Sequence, residues 1–411
     1  MDTKAPNSAK RILFVNRFFY PDHSATSQIL SDLAFDLAAE GVHVLVVTSR
    51  QRYDDAVAEL PRTERIAGVE VHRVWSTSFG RAGLIGRALD YGTFYLGAGI
   101  ALWKLADRRT IVVAETDPPL ICLMATPVAR LRGAQVVNWL QDLFPEVANA
   151  LGMGAVRGPV LRVLRFARNL TLRLAGMNVV LGERMAAMVR GQGVGADRTC
   201  IIHNWADGDA IRPVLREGNP LRTAWGLEGK FIVAYSGNLG RAHEFNTIVG
   251  AAEQLAHRSD IAFLFIGAGA QVEAVRRQVS RCGLTNVLFK PYQPREQLKE
   301  SLGVADLHLV TLNPALEGLI VPSKFYGIAA AGRPTLFIGD TAGEIPTILR
   351  DSSCGHAVRT GDVKALMKLI EQLADDPAAC AAMQCNARDV FDRRFDRKIA
   401  VRAWKQVLGL N

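Results

Sequence analysis

The chain has little of what narrows a function class most sharply. Its six cysteines, in 411 residues, form no Cys-x-x-Cys pair and have no histidine partner at metal-ligand spacing. A structural zinc and a disulfide framework are therefore not expected, no metal is assigned, and a reduced cytosol fits. No G-x-G-x-x-G follows the first apolar run, which counts against a nicotinamide dinucleotide. The longest uncharged run, Tyr91 to Trp103, falls short of the ~20 residues that span a bilayer. Residues 1–10 are polar and carry no apolar signal core. There is no repeat of solenoid length and no low-complexity segment.

What is present is apolar and basic. Hydrophobic residues make up 49% and mean hydropathy is +0.10, enough for two cores. The net charge of +9 divides as +6 over residues 1–205 and +3 over the rest. Basic excess in the first half implies an anionic partner surface, nucleic acid or lipid headgroups. The absence of an aromatic-interleaved basic platform or a helix-turn-helix pattern disfavours nucleic acid. Two segments favour lipid. Arg157 to Arg173 holds five arginines and no acid, with most apolar residues opposite, the pattern of a basic amphipathic helix. Arg81 to Arg109 has charged ends around an aromatic, apolar centre. The alternative is an amphipathic pair packed on a sheet with a solvated Arg face.

Short β-rich runs alternate with helical patterns along the chain, from Arg11–Asn16 to His356–Val358. Such alternation predicts βαβ units and parallel sheets. Residues 203–230 are polar and strand-poor and read as a linker followed by a short helix. The expected architecture is two doubly wound α/β domains with a cleft between them. Ligands then bind in the loops at the carboxyl ends of strands.

Five such loops could carry chemistry. Ser24, Thr26 and Ser27 precede a helix N-terminus after the first strand; they suit phosphate contact or plain helix capping. Asp142 follows the Ala134–Leu140 run and could act as base, orient an acceptor hydroxyl, or only cap a helix. Gly237, Asn238, Gly240 and Arg241 follow the Phe231–Ser236 run, where glycine backbone and a permanent fork of charge favour phosphate. Gly267-Ala268-Gly269 is a weaker signal. Asp207-Gly208-Asp209 reads as turn chemistry rather than a metal site. The most informative stretch is Glu317 to Pro334. Glu317 is followed five residues on by Pro322, Ser323 and Lys324 opening a helix that ends at Gly332. Free amides beside Lys324 suit phosphate and Glu317 suits sugar hydroxyls, a combination that suggests a nucleotide-sugar. The plainer alternative is a capped core helix.

These motifs together resemble the family 4 glycosyltransferases of the GT-B fold, in the colanic-acid, O-antigen and capsule branch. The resemblance spans nearly the whole chain. It rests on Phe19-Tyr20-Pro21, Thr116-Asp117-Pro118-Pro119, Gln141 to Glu146, His203 to Asp207, Tyr235 to Gly240 and Val321 to Tyr326. It implies two Rossmann-like domains: residues 1–205 for the acceptor, residues 206–390 for the donor, and a terminal segment 391–411 crossing back to the first. It also implies retaining, metal-independent transfer from a UDP- or GDP-sugar to a lipid-linked glycan, without a cofactor, at the cytoplasmic membrane face. Glu317 and Asp142 become the catalytic candidates. The family's second glutamate falls on Phe325 or Gly327 and is absent, and Lys324 stands in for a downstream lysine. Two other readings use the same architecture: a nucleotide-sugar epimerase, needing no lipid acceptor, and a non-catalytic subunit that binds a membrane partner.

Overall fold

The computed structural model describes residues 10–52, 59–79, 84–152 and 158–410. Contacts divide the chain into Met1–His203 with Val401–Asn411, and Asn204–Ala400. Each unit is an α/β layer structure whose central strands are buried on both faces, which is why they read as unbroken apolar runs.

The first unit holds eight strands: β1 (Arg11–Val15), β2 (His43–Ser49), β3 (Thr63–Ile66), β4 (Val69–Val74), β5 (Thr110–Glu115), β6 (Gln135–Trp139), β7 (Met177–Val180) and β8 (Thr199–Ile201). Their spatial order is β3-β4-β2-β1-β5-β6-β7-β8. All neighbours are parallel except β3 with β4. Sequence pattern misses β3. Its residues, Thr-Glu-Arg-Ile, are charged and partly exposed, as suits a blunted sheet edge.

The second unit holds β9 (Phe231–Ser236), β10 (Ile261–Ile266), β11 (Val287–Lys290), β12 (Leu307–Thr311), β13 (Thr335–Gly339) and β14 (Gly355–Arg359). The order is β11-β10-β9-β12-β13-β14, all parallel. The strand order reverses between β1 and β5 in the first sheet and between β9 and β12 in the second. Those are the switch points where doubly wound sheets open a crevice. The expected linker runs from Asn204 to the short helix Pro220–Ala224, capped by Asn219, whose side-chain oxygen accepts from the Leu221 amide at 2.9 Å.

The final helix, Arg397–Leu408, begins in the second unit, where Arg397 pairs with Asp207 and Lys398 with Asp209. From Val401 it belongs to the first. There Trp404 is fully buried with its ring 4.6 Å from that of Trp139, and Lys405 pairs with Glu40.

One sequence expectation is only partly met by the fold. The helix Gly158–Leu174 is amphipathic, but its arginines divide: Arg162 and Arg173 are exposed, whereas Arg165 and Arg168 turn to Glu146. Arg168 is 3% exposed and donates to Glu146 Oε1 at 2.7 Å and to Asn169 Oδ1 at 2.8 Å. Arg165 reaches the same Glu146 oxygen at 2.9 Å. The apolar residues Val160, Val163, Phe166 and Leu170 face outward instead. Composition separates the two faces of a helix but cannot say which one a buried carboxylate will claim. Arg157 and Arg81 lie outside the described residues. Arg168→Gln should therefore lower stability by about 3 kcal/mol, because it strips a largely buried carboxylate of one partner. Urea unfolding would check this; an unchanged midpoint would contradict the inward arginine.

Candidate active site

In the second unit the β9 and β12 ends are tied across the switch point. The Asn313 amide donates to the Ala242 carbonyl at 2.8 Å, and the Glu244 amide to Thr311 Oγ1 at 2.8 Å. The loop after β9 packs backbone-on-backbone against the loop after β10. A Cβ at Gly267 would lie 2.1 Å from the Gly237 carbonyl oxygen, and both residues have positive φ, +139° and +128°. Only glycine permits this approach.

Lys324 opens the helix Lys324–Ala330 and points into that loop. Its Cε would lie 3.3 Å from a Cβ at Gly237. Its ammonium contacts the Tyr235 hydroxyl, lies 4.0 Å from the Tyr235 ring centroid and 3.4 Å from His243 Nε2. Among the described residues no carboxylate pairs with it. Burial pushes its pKa down to about 7. His243 Nδ1 lies 2.6 Å from the Thr311 carbonyl. A carbonyl only accepts, so Nδ1 carries the proton and Nε2 offers a lone pair towards Lys324. Burial first, then the Lys324 charge, hold His243 neutral with a pKa of about 3. Tyr235 donates to the Asn238 carbonyl at 2.9 Å. The result is a buried cation surrounded by neutral dipoles, an arrangement that an anion would stabilise.

Around it, Arg241 is exposed, and no ion pair or hydrogen bond within the protein engages its guanidinium among the described residues. Asn238 folds over Gly240, whose carbonyl accepts from Gln271 at 2.6 Å. Pro322 and Ser323 precede Lys324, but the expected serine cap does not form. Ser323 already has helical dihedrals and makes no side-chain cap bond.

In the first unit a cavity of about 400 Å³ opens at the carboxyl ends of β1, β2, β5 and β6. Arg17, Thr26, Gln51, Tyr91, Asp117 and Asp142 line it. Burial first, then the charge of Asp117, raise the Asp142 pKa to about 7, and its Oδ1 has no partner. Glu115 lies behind, fully buried, neither oxygen bonded; burial and the charges of Asp117 and Asp142 push its pKa well up. Of the three hydroxyl residues expected here, Thr26 reaches the cavity. Ser27 turns inward to the Asp22 carbonyl at 3.2 Å, and Ser24 is the extended residue that starts the helix, its hydroxyl buried.

Each unit matches a glycosyltransferase family model. Residues 25–205 match the glycosyl transferase 4-like domain and residues 220–390 the glycosyl transferases of group 1. A probable glycosyltransferase from Pseudomonas aeruginosa, WbjE, is 30% identical over 67% of this chain and 69% of its own. The chain belongs to the group 1 glycosyltransferases. A putative colanic acid biosynthesis glycosyl transferase of Escherichia coli, WcaI, is 25% identical over 95% of this chain and 98% of its own. Among solved structures, sucrose-phosphate synthase from Thermosynechococcus elongatus superposes with TM-score 0.77 at 17% identity, covering 98% of this chain and 100% of its own. HepE from Anabaena, in complex with UDP-glucose, gives 0.73 at 16%, covering 97% and 99%. These likenesses establish the GT-B fold.

Within this glycosyltransferase Glu317 has a definite structural task. Its Oε1 accepts from the Glu344 amide at 2.8 Å, at the start of the helix Glu344–Ser352. A Cβ at Gly343 would lie 2.4 Å from Glu317 Oε2. Burial raises the Glu317 pKa, and the backbone amides of Glu344 and Gly318 oppose the rise. The carboxylate is thus fixed at a helix N-terminus. Neither position supplies a second glutamate: Phe325 is buried, and a Cβ at Gly327 would meet Leu302 Cδ1 at 3.5 Å. Sequence reasoning passed over Arg17, Glu115, Tyr235 and His243. All but Glu115 and Tyr235 lie beyond strand ends, where a search by position rather than by motif would find them.

Proposed function

We propose that this glycosyltransferase moves a sugar, with retention and without a metal, from a UDP- or GDP-sugar held on the second unit. The acceptor, held on the first, is a lipid-linked glycan in surface-polysaccharide assembly at the cytoplasmic membrane face. The observation that carries the donor half is Lys324, a buried cation with no carboxylate partner beside a glycine backbone loop. The UDP-glucose complex of HepE supports the donor class. In the reaction the bond from the anomeric carbon to the β-phosphate oxygen breaks, and the acceptor oxygen bonds to that carbon on the same face. The nucleoside diphosphate leaves with the bonding electrons. Lys324 and Arg241 neutralise the charge it gains, which lowers the barrier most where water is excluded. Glu317 orients the donor sugar through its carboxylate. Asp142 takes the proton of the acceptor hydroxyl.

A thermal-shift series with UDP, GDP, uridine and guanosine tests the donor half. At one hundred times the dissociation constant a ligand stabilises by about 2.7 kcal/mol, which is readily measured. Arg241→Ala should weaken the favoured diphosphate roughly ten- to a hundredfold, the worth of a charged hydrogen bond, and leave its nucleoside alone. Equal losses for diphosphate and nucleoside would remove Arg241 from the phosphate site.

A further inference from the structure

The outer helices of the first unit present apolar side chains to solvent in register. On Leu84–Leu105, the residues Ile85, Leu89, Leu96, Ile100 and Trp103 are all exposed, Ile85 by 79% and Leu96 by 68%. At 100° per residue they fall within about 60° of arc and run about 27 Å along the helix. On Gly158–Leu174 the outward residues Val163, Phe166, Leu170 and Leu174 form a second stripe, with Phe166 exposed by 71%. Cys122–Leu131 packs against both helices and ends in Leu131, exposed by 76%. Between the first stripe and this middle helix runs an apolar groove of about 540 Å³, floored by Met124 and Val128 and walled by Tyr95 and Trp103. Soluble monomers seldom expose contiguous apolar patches beyond a few hundred Å².

The charges around this face select what covers it. The three helices carry seven Lys or Arg and one acid, Asp90, which is buried and accepts from Thr77 and the Phe79 amide. Lys104, Arg130 and Arg162 are exposed at the borders of the stripes. Arg132 lies over the Trp103 ring, 5.3 Å from its centroid. A second copy of this chain would bring the same cations against these, a repulsive pairing in a two-fold interface. An anionic lipid leaflet meets both demands, since hydrocarbon accepts the stripes and headgroups accept the cations. Trp103, exposed and half apolar, half polar, has the character that favours the boundary between the two.

We infer that this face inserts shallowly into one leaflet of an anionic bilayer, the apolar stripes carrying attachment and the bordering cations setting headgroup preference. The inference rests on the membrane-bound acceptor proposed above. It differs from a solvated arginine face lying on lipid, because Arg165 and Arg168 are engaged inward with Glu146.

Sedimentation of the full chain with phosphatidylcholine vesicles, alone or mixed with phosphatidylglycerol, tests it. Wild type should bind the mixed vesicles and keep part of that binding in high salt. Ile100→Glu with Phe166→Glu should lower the partition coefficient roughly tenfold or more without lowering the melting temperature, both side chains being exposed. Lys104→Gln with Arg162→Gln should cost only the anionic preference, about fivefold per charge removed. If wild type ignores both vesicles at low salt, or the double glutamate variant binds as wild type does, the inference fails. It fails equally if ultracentrifugation shows a concentration-dependent dimer that the glutamates dissolve, for then a second copy covers the face. Transfer to a water-soluble acceptor should be unaffected by the glutamates. Vesicle binding in a protein that transfers to no acceptor would uphold the surface and overturn the function.

Discussion

Lys324→Met should abolish measurable binding of the nucleoside diphosphate. Methionine keeps the length and the packing but removes a charge that no carboxylate pairs with among the described residues, whose ammonium otherwise touches Tyr235 and faces His243. Wild-type affinity should also depend on pH with a defined sign. In the free protein, burial holds the Lys324 pKa at about 7. The diphosphate binds the ammonium form, so above pH 7 binding must first take up a proton. The dissociation constant should then rise by up to about tenfold per pH unit, until the pKa of the ligand-bound lysine is reached. The two groups facing the ammonium do not titrate in this window. His243 is neutral above a pKa of about 3, and burial raises Tyr235 well above its ordinary value. The terminal phosphate titrates near pH 6, so calorimetry between about pH 6.5 and 9 isolates the lysine. A flat profile in that range, or Lys324→Met binding within a fewfold of wild type, would take the lysine out of the phosphate site.

The same chemistry of the free protein makes a stability statement. A lysine whose folded pKa lies below its unfolded value favours folding in its neutral form. Its unfavourable contribution is full below pH 7 and relaxes as pH rises towards about 10.4. Diphosphate removes that burden at low pH by pairing with the charge. Stabilisation by ligand should accordingly be larger at pH 7 than at pH 9.

Much of this was legible in the sequence because parallel strands buried on both faces leave little ambiguity. Phe231–Ser236 and Ile261–Ile266 are read from their apolar runs at the same limits the structure has. The edge strand Thr63–Ile66 was not, because an edge is marked by charge and carries no burial signal. At the candidate site, glycine and lysine announced themselves: a strand followed by Gly-Asn-Leu-Gly, and a lone Lys at a helix start. His243 did not, since its role comes from the carbonyl of Thr311, a residue 68 positions away. Glu115 is hidden for a similar reason. It is the last residue of an otherwise apolar strand, and only the arrival of Asp117 and Asp142 beside it makes its protonation matter. The helix Gly158–Leu174 shows the limit most clearly. Its two faces follow from periodicity, but which one points inward was decided by Glu146, twelve residues before the helix begins.

Asp142→Asn should cut transfer by roughly a hundred- to ten-thousandfold, the usual worth of a positioned general base. Donor binding should not change, because Lys324, Arg241 and Glu317 belong to the other unit. In wild type the carboxylate form is the active one. Burial and the charge of Asp117 place its pKa at about 7, so kcat/KM should rise with pH through that region. Asp117 lines the same cavity and Glu115 lies behind it, within reach of both charges, so the observed midpoint describes the cluster. An amide in place of the carboxylate cannot take up the acceptor's proton, so the residual rate of the variant should lose this rise. Glu115→Gln supplies the control that separates catalysis from packing. It keeps the shape of a fully buried side chain whose neutral form burial and the charges of Asp117 and Asp142 already favour. The midpoint should stay at or below that of wild type, with most of the rate preserved. If Asp142→Asn keeps both the rate and the rise, the proton leaves by another route, and Asp142 is no more than a polar wall of the cavity.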